Sequence, residues 1–213
     1  MPRLGQTGYS ISQAISELVD NSIDAREDGK ILTVEIFLDG SKGIVEVSDD
    51  GVGMNEQTAA NSMKLAHSTK KNKLGEFGLG LKTASTSLGK KFQIVTTQKG
   101  KDEEYILEYD EEKWLKSGDW TKHEMKIKSG VDKKRSGTTI RIKDISFSIY
   151  PNLPGNIRKD LATRFAPFIE NGEVKIKVNT KWCEPEPLDL KTEYHAPDGK
   201  EPFRFKLESG NDV

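Results

Sequence analysis

Three polar residues on one predicted helix have the side chains needed to hold a metal–phosphate group and to activate water. Glu17, Asn21 and Asp24 are spaced i, i+4 and i+7, which places them on one face of a helix. The amide oxygen of Asn21 is a neutral, hard ligand suited to one position of an octahedral magnesium ion. The carboxylate of Glu17, one turn away, can accept a proton from water that attacks a phosphate. The competing interpretation is a solvated polar helix face without a ligand.

A carboxylate beside a glycine turn forms the second group. Asp49 ends a predicted strand and is followed by Gly51 and Gly53. A fixed carboxylate there can accept a hydrogen bond from an exocyclic amine, which favours adenine over guanine. Met54 could lie against the base, although methionine more often fills a core. An ordinary Asp-Gly hairpin turn explains the same residues without a ligand.

A glycine-rich stretch supplies the third group. Gly75, Gly78 and Gly80 let the backbone approach a phosphate closely, and they lead into a predicted helix whose N-terminal end attracts anions. Lys82 or Lys70 could supply a positive charge for the phosphates. The spacing is neither that of a Walker loop nor that of a dinucleotide fingerprint. Each group alone is weak evidence, but the three in this order favour a nucleotide site.

The elements that must hold these residues follow from the pattern of apolar side chains. A capping box at Ser10 and Gln13 begins a first helix, whose apolar stripe runs through Ile23. Further helices are predicted over 55–67, 80–87 and 157–169. Strands are predicted over 31–38, 44–47, 92–97, 105–109, 124–128, 138–142 and 173–178. The chain therefore mixes helices and strands, and two prolines after residue 150 mark a boundary.

Composition excludes several classes of protein. The 213 residues include 33 basic and 34 acidic side chains, so no overall charge attracts nucleic acid or a membrane surface. The apolar runs are shorter than the roughly 20 residues of a membrane span. A single cysteine, Cys183, excludes an internal disulfide framework. We expect a protein of the cytoplasm, or of the nucleus in a eukaryote, with no membrane association.

The three groups together resemble the motifs of the GHKL ATPase superfamily, which contains gyrase B subunits, ninety-kilodalton heat-shock chaperones, histidine kinases and MutL. Residues 17–25 are similar to its N box, residues 49–53 to its first glycine box and residues 75–80 to its second. Gly137-Thr138 resembles its later threonine motif. The similarity covers roughly residues 8–145, and within the group it is closest to the Microrchidia (MORC) branch.

The resemblance implies a fold and a set of roles. The fold is an α/β two-layer sandwich of the Bergerat type, in which helices cover one face of a mixed sheet. Glu17 would be the general base, Asn21 the magnesium ligand and Asp49 the partner of the adenine amine. The remaining residues implied to bind the nucleotide are Asp24, Gly51, Gly53, Met54, Ser68, Gly75, Gly78, Leu79, Gly80, Lys82 and Thr138.

The implied function is magnesium-dependent binding and hydrolysis of ATP, in a larger protein whose nucleotide state closes a homodimer or changes its conformation. A macromolecular partner, either DNA or protein, is compatible with this. The alternative is a nucleotide-binding or phosphotransfer signalling module without net hydrolysis, as in histidine kinases. Glu17 favours hydrolysis, because histidine kinases normally have another residue type there. Residues 1–150 would form the ATP-binding domain and residues 151–213 an extension that resembles the start of a transducer domain.

Overall fold

The computed structural model of the chain describes residues 8–63, 80–117 and 124–185. Four of the predicted site residues, Ser68, Gly75, Gly78 and Leu79, lie outside the described residues, as does Lys70. The described elements are, in chain order, α1 (Ile11–Asp24), β1 (Leu32–Asp39), β2 (Ile44–Asp49), α2 (Glu56–Ser62), α3 (Gly80–Leu88), β3 (Gly89–Thr97), β4 (Glu103–Asp110), α4 (Glu111–Ser117), β5 (Met125–Ser129), β6 (Gly137–Ile145), α5 (Leu153–Arg164), α6 (Ala166–Glu170), β7 (Val174–Val178) and β8 (Lys181–Trp182).

The described strands form one mixed sheet in the order β5-β4-β3-β6-β2-β1-β7-β8. Every neighbouring pair is antiparallel except β1 and β7, which run parallel with Leu32 opposite Val174. The sheet brings β2 and β6 together at its centre, with Val47 opposite Ile140. As a result, the residues that follow β2 lie beside those that begin β6.

The hydrophobic core lies between the sheet and its covering helices. In β1, Val34 and Ile36 are buried, whereas the intervening Glu35 and Phe37 are exposed. This alternation is expected for a sheet that is covered on one face, because successive side chains of a strand point to opposite faces. The predicted α/β two-layer arrangement with a mixed sheet is therefore confirmed.

Helix α1 forms for the reasons that its sequence indicates. The Ser10 hydroxyl accepts a hydrogen bond from the Gln13 backbone N–H at 3.2 Å, and the Gln13 side chain accepts one from the Ser10 N–H at 2.8 Å. This is the predicted capping box, which satisfies two N–H groups that the helix cannot pair internally. The apolar stripe is fully buried at Ile15, Leu18 and Val19. Its burial fixes which face of α1 remains for polar chemistry.

The predicted and the observed helices differ in two places. The prediction of a single helix over 157–169 is wrong, since α5 ends at Arg164 and α6 begins at Ala166. Pro167 explains the break: it has no N–H to extend α5, and it is well tolerated in the first turn of α6. The sequence pattern did not predict the short helix α4. For the helix predicted over 55–67, the described part is α2, which is capped by the Asn55 side chain as expected.

The predicted boundary near residue 150 lies between β6 and α5. Residues on both sides of it share one sheet, because β7 pairs with β1. They also share one core, in which Ile157, Leu161 and Phe165 of the α5 region are buried. None of the helices in the described parts of the chain is long and apolar enough to cross a membrane.

Candidate functional site

Asp49 lies at the end of β2, where three donors hold its carboxylate. Oδ1 accepts hydrogen bonds from the backbone N–H groups of Gly51 at 3.0 Å and of Thr138 at 3.2 Å. Oδ2 accepts one from the Ser22 hydroxyl at 3.1 Å. A carboxylate has about four acceptor positions, so these three donors leave one, on Oδ2.

Burial raises the pKa of Asp49 from its usual 3.8 to about 6, even though the hydrogen bonds from Gly51, Ser22 and Thr138 act in the opposite direction. The negative charge of Asp50 adds to the increase. Near pH 7 the side chain is still mainly ionised. It therefore offers a charged acceptor in a largely desolvated place, where a donor from a ligand would bind strongly.

The glycines around Asp49 allow neighbouring backbone segments to come very close. Gly53 has φ of +66°, and a Cβ atom on it would overlap the carbonyl oxygen of Thr97 at the end of β3. Gly137 has φ of +122°, and a Cβ atom there would overlap the carbonyl oxygen of Asp49. A Cβ on Gly51 would lie 2.6 Å from the carbonyl oxygen of Ala25. These contacts explain why all three positions are glycine.

A buried threonine that the sequence did not single out links the turn to β6. The Thr96 hydroxyl accepts a hydrogen bond from the Met54 N–H at 2.9 Å and donates to the Gly137 carbonyl at 3.1 Å. Its oxygen is also 3.0 Å from that of Thr138. Because the single Thr96 proton points at a carbonyl, Thr138 donates to Thr96 and keeps an acceptor position of its own.

Asn21 and Glu17 lie one turn apart on the polar face of α1. The Asn21 amide nitrogen donates to the Glu17 backbone carbonyl at 2.6 Å. A carbonyl oxygen can only accept, so the amide nitrogen must be the atom that faces it, and Asn21 Oδ1 is left for another partner. That oxygen is the atom predicted to bind magnesium.

The Glu17 carboxylate lies between two other elements. Its Oε1 is 3.8 Å from the Arg164 guanidinium at the end of α5. Its Oε2 is 3.0 Å from the position that a Cβ atom would take on Gly80, the first residue of α3. Burial raises the pKa of Glu17, the charge of Asp20 raises it further, and Arg164 partly opposes both. A carboxylate with a raised pKa is a better proton acceptor, as a general base requires.

Asp20 accompanies Glu17 and contacts the same arginine. It is 7% exposed, and its Oδ2 accepts a hydrogen bond from Arg164 at 3.0 Å. Burial raises the pKa of Asp20, which Arg164 counteracts and the charge of Asp24 reinforces. Asp24 itself is half-buried in the last turn of α1. This part of α1 is therefore strongly acidic, with one arginine beside it.

Lys82, predicted to bind phosphate, lies near the start of α3 and contacts the end of α2. Its side chain is buried, and its ammonium group donates to the carbonyl of Ser62 at 3.0 Å. Burial lowers the pKa of Lys82 to about 8. Because an ammonium group has three N–H donors, this contact with the end of α2 does not preclude a phosphate, and the role of Lys82 stays a prediction.

Apart from Asp24 and Lys82, the described site residues thus fall into two groups joined by α1. The first surrounds Asp49 and contains Gly51, Gly53, Met54 and Thr138; the second contains Glu17, Asn21 and Gly80. Ser22 joins them, since it follows Asn21 on α1 and donates to Asp49. No group of three or more His, Cys, Asp or Glu side chains that could hold a metal occurs in the described ranges. Magnesium, however, is usually held by one or two protein ligands together with phosphate oxygens and water.

The sequence pattern did not identify three residues that contact the site: Ser22, Thr96 and Arg164. Ser22 falls within the apolar stripe of α1 by its helical spacing, and a hydroxyl in that stripe was the available signal. Thr96 is one more β-branched residue in a strand, and nothing local distinguishes it. Arg164 is 144 positions from Asp20, a distance over which helical periodicity carries no information.

Comparison with known proteins identifies the family. The family described as histidine kinase-, DNA gyrase B- and HSP90-like ATPase matches residues 9–138, which is more than half of the chain. The chain belongs to this family, and it carries an ATP-binding domain of the GHKL type. This confirms the superfamily predicted from the three motifs.

Individual relatives agree with this assignment. The chain is 36% identical over 88 residues to ATPase morc-1 of Caenorhabditis elegans, covering 41% of this chain and 10% of that protein. It is 33% identical over 157 residues to the DNA mismatch repair protein MutL of Petrotoga mobilis. That match covers 68% of this chain and 22% of MutL. The chain therefore spans between a tenth and a quarter of the length of these two relatives.

A solved structure has the same fold. The ATPase region of Saccharomyces cerevisiae topoisomerase II matches with a TM-score of 0.59 and 15% sequence identity, over 81% of this chain and 48% of that chain. At this identity the match shows a common fold and nothing about a common substrate.

Proposed function

We propose that this chain binds magnesium-ATP, that Asp49 recognises the adenine and that Glu17 is the general base for hydrolysis. The observation that carries the proposal is the Asp49 carboxylate, which is partly buried and held by three donors with one acceptor position left over. With a pKa of about 6 it is mainly ionised near pH 7. An exocyclic amine is the donor that completes it. Guanine has a carbonyl oxygen at the same ring position, which would face the carboxylate unfavourably.

The second group of residues supports the phosphate end of the proposal. Asn21 Oδ1 would hold the magnesium ion as one oxygen ligand. The chemistry that magnesium would supply there is positive charge, which would neutralise the phosphates. The Glu17 carboxylate would orient an attacking water and accept its proton, a role for which its raised pKa and its orientation towards the start of α3 are suitable. The start of α3 would offer its positive end to phosphate.

The order of the side chains along α1 supports this arrangement. Ser22, which contacts Asp49, is five residues from Glu17, a rise of about 7 Å along a helix. Asn21 lies between them. The helix can therefore face the base at one end and the terminal phosphate at the other, with the metal ligand between.

We further propose that ATP binding drives homodimerisation or a conformational change in a larger protein. The relatives' lengths support only the larger protein, because this chain matches only part of each of them. The macromolecular partner would be DNA or a protein; the name of one relative, a DNA mismatch repair protein, favours DNA. Light scattering with a non-hydrolysable ATP analogue and magnesium should then show a dimer, and a monomer under all conditions would contradict dimerisation by this chain.

The decisive experiment measures ATP binding and phosphate release with magnesium and with EDTA, for the wild type and for Glu17→Gln. We expect magnesium-dependent turnover in the wild type, and in Glu17→Gln unchanged binding but no turnover. Glu35→Gln is the matched control, because Glu35 is exposed on the other face of the sheet. Binding without turnover in the wild type would contradict hydrolysis by this chain, and no binding would refute the whole proposal.

A further inference from the structure

Arg164 is a cation placed at the acidic face of α1 by a distant part of the chain. It occupies the last position of α5, and its side chain is 45% exposed. One of its terminal nitrogens, Nη2, lies 3.0 Å from Asp20 Oδ2 and 3.8 Å from Glu17 Oε1. A single guanidinium therefore contacts two carboxylates of α1, those of Glu17 and Asp20.

The contact with Asp20 holds Arg164 in place. The Asp20 side chain is 11% exposed, so water cannot fully solvate its charge. A buried carboxylate needs a partner, and the planar guanidinium supplies a directional one. The ion pair also joins α1 to the end of α5, whose buried residue Leu161 lies in the common core.

The contact with Glu17 limits where its carboxylate can point. Arg164 is near Oε1, and Gly80 is close to Oε2 on the other side. Glutamate has three rotatable side-chain bonds, so a free Glu17 would occupy many orientations. With the two neighbours present, the carboxylate lies between α5 and the first residue of α3.

We propose that Arg164 is a positioning residue for ATP hydrolysis: anchored by Asp20, it holds the Glu17 carboxylate in the orientation that a general base at the start of α3 requires. This inference rests on the proposed function, because it concerns the same reaction. It assigns to the chain segment after residue 150 a direct part in the site. Arg164 acts through Glu17 and is not expected to contribute to ATP affinity.

The test compares kcat, KM and the ATP dissociation constant in four variants. Arg164→Ala should lower kcat about 10- to 100-fold, the loss typical of a misplaced reacting group, and change ATP affinity less than about threefold. Arg164→Lys should recover part of kcat, because the charge remains but the planar fork does not. Arg158→Ala is the matched control and should behave as the wild type. Arg158 is in the same helix, but its guanidinium donates to the exposed carbonyl of Trp182.

The fourth variant guards against misfolding. Arg164→Ala leaves the Asp20 charge without this partner, whereas Asp20→Asn combined with Arg164→Ala removes the buried charge as well. The double variant should fold and still show the reduced kcat with normal ATP affinity. Wild-type kcat in the folded double variant would overturn the positioning role of Arg164, and so would an equal loss of ATP affinity and kcat. Neither result would affect the proposed ATP hydrolysis. Absence of turnover in the wild type would instead refute the proposed hydrolysis, and this role with it.

Discussion

Replacing Asp49 with asparagine should stabilise the protein near neutral pH while weakening ATP binding. The replacement keeps the shape of the side chain. Its oxygen must stay where Oδ1 is, because two backbone N–H groups, from Gly51 and Thr138, point there. The new NH2 group then faces Ser22, whose hydroxyl can accept from it and donate to the Leu18 carbonyl, which lies 3.3 Å away. All the hydrogen bonds of the fold survive.

The stability change follows from the pKa of Asp49. The pKa of Asp49 is about 6 in the folded state, against an ordinary value of 3.8. The difference of about two pKa units corresponds to roughly 1.4 kcal/mol for each unit. Between these two values the folded protein holds a proton that the unfolded chain has released. The contribution of Asp49 to the free energy of unfolding therefore falls as the pH rises from about 4 to about 6, and it stays low above that. The total is roughly 3 kcal/mol, an upper limit for the gain from Asp49→Asn at pH 7.

Urea unfolding of both proteins at several pH values measures this directly. The difference in the free energy of unfolding between Asp49→Asn and the wild type should be near zero at pH 4 and grow to between about 1 and roughly 3 kcal/mol at pH 7. The difference is informative because the titration of the other carboxylates cancels. Asp160→Asn is the matched control, because Asp160 is exposed on α5 and is not among the groups that shift the pKa of Asp49.

The same variant should bind ATP about 10- to 100-fold more weakly, since the acceptor offered to the adenine amine becomes a donor. Wild-type binding should also weaken below about pH 6, where Asp49 takes up a proton. A pH-independent stability difference, or a variant less stable than the wild type at pH 7, would refute the reasoning on burial. Unchanged ATP affinity in Asp49→Asn would refute the adenine assignment.

Three further predictions concern neighbouring groups. Gly53→Ala should destabilise the protein by at least about 2 kcal/mol more than Gly100→Ala in thermal or urea unfolding, because both glycines have positive φ but only Gly53 faces a backbone carbonyl; equal losses would contradict this. Thr96→Val should cost about 1–3 kcal/mol by leaving the Met54 N–H unpaired, and an unchanged urea midpoint would count against that bond. Burial raises the pKa of the Cys183 thiol to about 11, so a thiol reagent at pH 8 should label it only in urea, and rapid native labelling would disprove its burial.

Much of the local structure was predictable from the sequence. The capping box and apolar stripe of α1 were found because capping residues and helical spacing act within a few positions. Strands β1 to β7 were found within a few residues for the same reason, since alternation is local, whereas the two-residue strand β8 was not predicted. Helical spacing alone also placed Glu17 and Asn21 on one face of α1. The break at Pro167 shows the limit, because the apolar pattern of 157–169 continues through it.

Contacts between distant segments were decided only by the tertiary structure. Asp20 and Arg164 are 144 positions apart, and they meet because β7 pairs with β1 and carries α5 back onto α1. The donors around Asp49 likewise come from three places: α1, the turn after β2, and β6. Its pKa depends on that enclosure, since desolvation is a property of the assembled site. Side-chain types and spacing thus determined which chemistry is available, and packing of the whole sheet determined where each group lies and how strongly it is charged.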